Sequence, residues 1–352
     1  MLGRLNSTDA EPAHPNIIEV EGLRVRFRTE EGEARAVDGV DLAIRRGRVM
    51  GLVGESGCGK SVTAYSLLRL IQQPGSITGG SMRFFPRGGE MIDVAALHEK
   101  SDRLFDLRGG GISMIFQEPM TALSPVHTVG NQIVEAIILH QQVTRREARD
   151  RAVEMLRKVG IPGAESRIDQ YPFEMSGGMR QRVVIAMALA CSPELLIADE
   201  PTTALDVTIQ AQILGLMKDL QRDTGVSILL ITHDLGVIAQ MADEVAVMYL
   251  GRVVEQSDVR TIMRSPRHPY TMGLLASLPS LSLDKDELPS IPGTVPSITA
   301  LPQGCPFHPR CRYAKSGQCD TGGPPALEAF APTHHVACVR VHEIAGEQRG
   351  FA

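Results

Sequence analysis

Short apolar runs alternate with stretches of helical spacing along most of the 352-residue chain. Runs typical of buried strands occur at residues 49–53, 195–198, 226–232, 245–250 and 253–255. Between the later runs, apolar positions recur every three or four residues, which predicts helices. Alternation of strand and helix indicates a mainly parallel sheet, so the pattern predicts an α/β core.

Three regions depart from this pattern. Residues from about 16 to 50 alternate apolar and polar positions, which predicts a small antiparallel sheet ahead of the core. Residues 118–176 are helical in spacing, and Gly160-Ile161-Pro162 ends one apolar helical face. The members of that face are Ala148, Ala152, Met155, Leu156 and Val159. From about Ser265, dense prolines disfavour regular structure and predict an irregular appendage.

A glycine-rich loop follows the first strand. It reads Gly54-Glu55-Ser56-Gly57-Cys58-Gly59-Lys60-Ser61, and Ser61 to Leu70 then predicts a helix. The glycines let backbone N–H groups approach an anion, and the helix dipole favours negative charge at that end. Lys60 can reach the β- and γ-phosphates, and the Ser61 hydroxyl is placed to bind Mg²⁺. A chance Gly-rich connection is the alternative, and the flanking strand and helix argue against it.

A pair of carboxylates, Asp199-Glu200, ends the strand Leu195 to Ala198. Neighbouring residues on a strand point in different directions, so the two side chains suit different tasks. Asp199 suits the Mg²⁺ shell, and Glu200 suits the general base that polarises an attacking water. A solvated Asp-Glu pair would be the default without the phosphate loop. With that loop, the pair predicts hydrolysis of a nucleoside triphosphate.

With a third motif in place, the chain resembles the nucleotide-binding subunit of an ATP-binding-cassette (ABC) transporter over nearly its whole length. The family signature stands here as Met175-Ser176-Gly177-Gly178-Met179-Arg180-Gln181-Arg182. It departs from the commonest form, Leu-Ser-Gly-Gly-Gln, at Met175 and Met179. The resemblance implies that Ser176, Gly177 and Gly178 bind the γ-phosphate of ATP held by the opposite subunit of a head-to-tail dimer.

Other cassette elements follow in the family's order. Gln117 resembles the loop glutamine that senses Mg²⁺ and water, and Ala204-Leu205-Asp206 resembles the loop that crosses the dimer interface. His233 resembles the switch histidine that holds Glu200, the water and the γ-phosphate in register, although a lone histidine after a strand is more often structural. Phe27 lies where the family places an aromatic ring against adenine.

The resemblance implies a P-loop NTPase cassette with a mainly parallel sheet, an antiparallel β subdomain and a helical subdomain. We expect a flexible N-terminus at 1–15, the nucleotide-binding domain at 16–264, its helical subdomain at about 118–190, and a C-terminal extension at 265–352.

Composition narrows the partners. The net charge of −5 and the lack of a Lys/Arg block argue against nucleic acid. The strongest apolar run, 183–190, has 8 residues, far below the roughly 20 that span a bilayer. The first residues do not resemble a signal sequence, so we expect the protein at the cytoplasmic face of the membrane. Partner subunits would then have to form any transport path.

Four of the six cysteines lie in the extension, as Cys305, Cys311, Cys319 and Cys338. Disulfides are disfavoured in a reducing cytoplasm, so the cluster predicts a metal site. The segment 304–311 resembles the C-terminal motif of oligopeptide and dipeptide importer ATPases, some of which hold a [4Fe-4S] cluster on four cysteines. Zn²⁺ is the rival, since four thiolates also satisfy it and three histidines are near in sequence, and free structural thiols are a third possibility. The lack of a short C-x2-C spacing favours iron–sulfur.

The segment from Ser265 to Thr271 also resembles these importers. The resemblance implies an ATPase subunit that powers peptide import with two transmembrane permease subunits, a second and different ABC ATPase, and an extracytoplasmic solute-binding protein. Nickel or oligosaccharide import is the nearest alternative. A soluble ABC ATPase is disfavoured because the chain has one cassette and no coiled-coil insertion. A third reading makes the protein an iron–sulfur redox sensor regulated by ATP.

Overall fold

The computed structural model describes residues 14–117, 122–203, 205–278 and 290–349. The strands in chain order are β1 (Asn16–Thr29), β2 (Gly32–Arg45), β3 (Val49–Val53), β4 (Gly75–Phe84), β5 (Ile92–Asp93), β6 (Ile112–Ile115), β7 (Leu195–Asp199), β8 (Ser227–Thr232), β9 (Glu244–Tyr249), β10 (Arg252–Asp258), β11 (Glu328–Ala331) and β12 (His334–Val336).

The helices in chain order are α1 (Lys60–Leu67), α2 (Asp102–Asp106), α3 (Val129–His140), α4 (Arg145–Lys158), α5 (Ala164–Arg167), α6 (Gly177–Leu189), α7 (Val207–Thr224), α8 (Leu235–Met241), α9 (Val259–Arg264), α10 (Pro269–Ala276) and α11 (Val341–Arg349). Short 3₁₀ turns occur at Val94–Ala96, Pro172–Glu174 and His308–Arg310. None of the helices in the described ranges is long and apolar enough to cross a membrane.

The central sheet has the strand order β11-β12-β10-β9-β3-β8-β7-β6. The strands from β9 to β6 run parallel, with β3 between β9 and β8. The predicted parallel α/β core is therefore confirmed. Parallel neighbours place their carboxyl ends at one edge, so the ends of β3, β7 and β8 present their following loops together.

Both faces of the central sheet are covered, which explains its continuous apolar strands. On β3, Val49 and Val53 pack into a core shared with the helices, whereas Met50 and Leu52 pack into a second core. The second core contains α1 and the apolar face of the antiparallel sheet. Alternation of side chains along each strand thus divides the molecule into two cores with the sheet between them.

The predicted N-terminal antiparallel sheet is confirmed, with strand order β2-β1-β4-β5. Helices α3 to α6 lie between β6 and β7 in sequence, as expected for the helical region. On α4, Ala148, Ala152 and Leu156 are buried, and a capping box between Thr144 and Glu147 begins the helix. Helix α1 ends at Leu67, earlier than predicted, because Arg69 adopts a left-handed backbone conformation (φ +54°).

The C-terminal extension is irregular only in its middle. Residues 290–327 contain one 3₁₀ turn and no strand, as the prolines predict. The extension then forms the β11–β12 hairpin, and β12 pairs with β10 through Glu255 and Val336. The extension therefore continues the central sheet and does not merely rest on it.

Candidate ATP site and four-cysteine cavity

The phosphate loop joins the end of β3 to the start of α1. A side chain at Gly54 would place its Cβ 2.1 Å from the Met248 carbonyl oxygen. Gly59 has φ +103°, and a Cβ there would lie 2.3 Å from the Ala36 carbonyl oxygen. Only glycine fits these positions. The loop therefore packs closely against the backbone at Ala36 and Met248, and its backbone amides lie at the N-terminus of α1.

Lys60 is buried and folds back over the loop. Its Nζ donates to the carbonyl oxygens of Gly54 at 2.8 Å and Glu55 at 3.0 Å. A lysine held against this loop supplies a positive charge where the motif places the β- and γ-phosphates.

Asp199 ends β7 and is fully buried. Neither of its carboxylate oxygens has a hydrogen-bond partner among the described residues. Burial raises its pKa, with the nearby Glu200 charge acting in the same direction, while Ser61 and Lys60 oppose the shift. A buried carboxylate without a partner beside the Ser61 hydroxyl has the oxygen ligands that Mg²⁺ prefers. The residues present fit a magnesium ion.

Three side chains surround the Glu200 carboxylate. Thr203 donates its hydroxyl to Oε2 at 2.9 Å, the Gln117 amide donates to the same oxygen at 3.3 Å, and His233 Nδ1 lies 3.2 Å from Oε1. Burial acts to raise the pKa of Glu200, but the bonds from His233 and Thr203 outweigh it and the pKa falls below its usual range. Glu200 is therefore ionised at neutral pH and held by residues from separate elements.

The backbone at Glu200 is strained. Its φ is +46°, a left-handed conformation that residues with a Cβ adopt rarely. Strain of this kind persists where surrounding structure requires a side chain in a particular direction. Here the strained residue is the one whose carboxylate contacts Gln117, Thr203 and His233.

The signature residues form the N-terminus of α6. Ser176 is the N-cap and accepts a hydrogen bond from the Met179 N–H at 3.3 Å, with Gly177 and Gly178 beginning the helix. No heavy atom lies within 4 Å of the position a Cβ at Gly177 would take. Asp206 caps α7, while Ala204, Glu118 and Pro119 lie outside the described residues.

Phe27 lies at the end of β1, opposite Gly75 on β4. Its ring covers Gly75 so closely that a Cβ there would come within 2.5 Å of it. The predicted contact between Phe27 and adenine remains a prediction.

The structure brings Gln117 and His233 to Glu200, and it places Ser61 and Lys60 near Asp199. No contact joins Phe27, the turn at 176–178 or Asp206 to this group among the described residues.

Gln181 was not predicted from the sequence to have a role. Gln181 is buried on α6 and donates its side-chain amide to the Pro201 carbonyl at 2.6 Å. It thereby ties the signature helix to the turn after Glu200. There is no clear sequence signal for this role, because Gln181 stands between Arg180 and Arg182 near the polar start of the helix.

The four cysteines of the extension line one small cavity of about 20 Å³. Burial raises the pKa of Cys305 to about 11 and of Cys338 to about 12, and it also raises the pKa of Cys311. Without a bound cation these thiols are protonated at neutral pH.

Backbone amides are directed at the sulfur atoms. The Lys315 N–H donates to Cys319 Sγ at 3.4 Å, and amides of Phe307, Tyr313 and Arg340 act on Cys305, Cys311 and Cys338 to lower their pKa values against the effect of burial. Such donors favour the thiolate form of each cysteine and partly offset the effect of burial. Among the described residues, no group of three or more His, Cys, Asp or Glu side chains is arranged to hold a metal ion.

Comparison with known proteins agrees with this architecture. Residues 37–203 match the ABC transporter family model, and residues 254–319 match the oligopeptide/dipeptide transporter C-terminal region. The chain is 50% identical over 336 residues to a peptide import ATP-binding protein of Brucella abortus (strain 2308), covering 94% of this chain and 98% of that one. It is also 50% identical to the oligopeptide transport ATP-binding protein OppD of Bacillus subtilis (strain 168), covering 93% and 89%.

Solved structures give the same fold. The dimeric post-hydrolysis state of the ATP-binding cassette MJ0796, bound to ADP and Pi, superposes with TM-score 0.60 at 27% identity, covering 69% of this chain and 99% of that one. CbiO1 from Clostridium perfringens, part of the transporter complex cbiONQ, gives 0.57 at 27% identity, covering 72% and 97%.

The fold and the carboxylate–phosphate-loop site define a cassette ATPase that binds ATP with Mg²⁺. The chain belongs to the ABC transporter ATP-binding proteins, in the branch that carries the oligopeptide/dipeptide transporter C-terminal region.

Proposed function

We propose that this subunit hydrolyses ATP to power the import of short peptides through two transmembrane permease subunits at the cytoplasmic face of the membrane. The observation that carries hydrolysis is the Glu200 carboxylate, ionised and held by Gln117, Thr203 and His233 beside the unpartnered Asp199. Peptide as the solute is supported by full-length similarity to peptide import proteins, including the extension.

In the proposed reaction, Glu200 accepts a proton from water as the water oxygen attacks the γ-phosphorus. The bond from that phosphorus to the bridging oxygen breaks, which gives ADP and phosphate. His233 orients Glu200, and Lys60 with the loop amides offsets charge on the transferred group. Asp199 and Ser61 would hold Mg²⁺, and the bound ion would offset negative charge on the phosphates.

A second nucleotide-binding subunit completes each site in this proposal. Ser176, Gly177 and Gly178 sit at a helix N-terminus with open space at Gly177, which suits a phosphate presented by another chain. The solved cassette MJ0796 is a dimer with ADP and Pi. We expect the partner here to be a different ABC ATPase, and Asp206 to lie at the interface between them.

Gln117 links hydrolysis to the permeases in this proposal. It follows β6, contacts Glu200, and precedes the helical region whose surface would receive the permease. Closure of the two ATPases would move the permeases between inward- and outward-facing states, with the solute supplied by an extracytoplasmic binding protein.

We also propose that Cys305, Cys311, Cys319 and Cys338 hold a [4Fe-4S] cluster that stabilises the extension. One Zn²⁺ needs all four sulfurs at about 2.3 Å from the same point, whereas each sulfur of a cluster binds a different iron. The support for the cluster is that all four cysteines line one cavity. Anaerobically purified protein should show a broad absorbance band at about 400 nm and should release acid-labile sulfide. Stoichiometric zinc without iron would overturn this assignment.

The import proposal is tested with proteoliposomes that contain the complex purified through this subunit. ATP-driven accumulation of a mixed short-peptide pool, with the solute-binding protein present, should be lost in a Glu200→Gln complex. ATP hydrolysis without peptide uptake would contradict peptide import while leaving the ATPase intact, and Ni²⁺ or oligosaccharide uptake in the same vesicles would then identify the solute.

A further inference from the structure

Two side chains of the extension contact the phosphate loop directly. Arg310 donates from its two terminal nitrogens to the Glu55 carboxylate, at 2.7 Å and 3.0 Å. The Tyr270 hydroxyl accepts the backbone N–H of Glu55 at 2.8 Å. Both the side chain and the backbone of one loop residue are therefore held by residues more than two hundred positions away in sequence.

Arg310 is itself held in place. Only 4% of its side chain is exposed, its Nε donates to the Pro292 carbonyl at 3.1 Å, and its guanidinium lies 5.9 Å from the centre of the Tyr249 ring. The Glu55 carboxylate raises the pKa of Arg310 further above its ordinary value, so the guanidinium stays charged. Tyr270 is fully buried and packs against Tyr249 and Phe307.

Glu55 poses an electrostatic problem for a loop that receives phosphates. Its carboxylate lies within an anion-binding turn, where a free negative charge would repel the β- and γ-phosphates. The bidentate contact with Arg310 neutralises that charge and directs the carboxylate towards the extension. The extension thereby supplies part of the loop's electrostatic balance.

We propose that Arg310 is a positioning residue for ATP, which acts through Glu55 to hold the first half of the phosphate loop in its receptive conformation and to neutralise a carboxylate that would repel the nucleotide. Tyr270 assists by holding the Glu55 amide. The inference depends on the ATPase activity of the family and is independent of which solute is transported.

The test is a variant series in the whole complex, with the Kd of Mg-ATP measured on a Glu200→Gln background and kcat and KM measured with Glu200 present. Arg310→Gln should raise the Kd and KM by about tenfold, within the roughly 2- to 100-fold range of coupled neighbouring residues, and change kcat less than about twofold. The Kd and KM of the Arg310→Lys variant should lie between those of the parent and of Arg310→Gln, because lysine keeps the charge but not the bidentate geometry. Tyr270→Phe should raise Kd by about threefold.

The decisive variant combines Arg310→Gln with Glu55→Gln. If repulsion by an uncompensated carboxylate causes the loss, the double variant should bind ATP within about threefold of the parent, better than Arg310→Gln alone. Arg312→Gln is the matched control, since Arg312 is exposed two positions away and contacts Tyr313 instead. A double variant as weak as Arg310→Gln, or an unchanged Kd in Arg310→Gln, would overturn the proposal. If Arg310→Gln does not fold, the double variant and Tyr270→Phe decide.

Discussion

The nucleotide site and the four-cysteine cavity both contain buried ionisable groups, but they are built on different supports. Asp199 ends a strand of a parallel sheet that is covered on both faces, and Glu200 follows it directly. The cysteines lie in a segment with little regular structure, held mainly by turns and by amides directed at sulfur. A rigid sheet can hold its site without a ligand. If the proposed cluster is bound, the cysteine segment would gain order from it.

This difference predicts that damage to the two sites has opposite signatures. Changes at the carboxylates should alter rate with little effect on stability. Changes at the cysteines should alter stability with little effect on the chemical step.

The largest effect is expected for Glu200→Gln. Loss of the general base should lower the kcat of ATP hydrolysis by roughly 10² to 10⁴, while the unfolding temperature and ATP binding stay close to the parent. Steady-state phosphate release and thermal unfolding of the same preparation measure both quantities. Unchanged turnover would remove Glu200 from the proposed role.

Cys338→Ser should show the reverse pattern. A ligand present at about a thousand times its Kd contributes about 4 kcal/mol, so losing one thiolate ligand should lower the unfolding free energy by up to about that amount. Denaturant unfolding measures it, and Cys191→Ser, outside the cavity, is the control. Equal stability of the two variants would mean that the cavity thiols hold nothing.

His268 offers a pH test of the extension. Burial lowers its pKa from 6.5 to about 4, so it is neutral in the fold while the unfolded chain takes up a proton below about pH 6.5. The contribution of His268 to the free energy of unfolding is therefore at its full value above pH 6.5. It decreases by about 1.4 kcal/mol per pH unit as the pH falls towards 4. The His268→Asn variant can keep the N-cap. Between pH 7 and 5 its free energy of unfolding should fall by about 2 kcal/mol less than that of the parent protein. Identical pH slopes in urea unfolding would contradict this.

The smallest effect should connect the two sites. Arg310 directly precedes Cys311, and Phe307 both lines the cavity and packs against Tyr270. Cys311→Ser should therefore raise the Kd of Mg-ATP by about threefold, and no further in an Arg310→Gln background, since residues in one network are not additive. If the two substitutions instead raise the Kd independently, so that their fold-changes multiply in the double variant, the two sites are not coupled.

The sequence predicts the nucleotide site well because its parts are local. Strand, glycine loop and helix are contiguous at 49–67, and the Asp199-Glu200 pair ends its own apolar run. It does not predict the contact of Glu55 with Arg310, because 255 positions separate them and a lone arginine among prolines has many uses. Pairing of β12 with β10 was equally hidden, since His334–Val336 is too short to show an alternating pattern.

That pairing has a consequence for any shortened form of the chain. Strand β10 carries buried Val253 and Val254, and the β11–β12 hairpin lies along its outer side. A fragment ending before residue 290 would leave β10 with open backbone amides and carbonyls beside apolar side chains, a template for pairing with other molecules. The hairpin, ended by a four-residue strand bearing Glu328, presents a much poorer template. The β11–β12 hairpin, which lies outside the cassette in sequence, should therefore protect the cassette from aggregation through this edge.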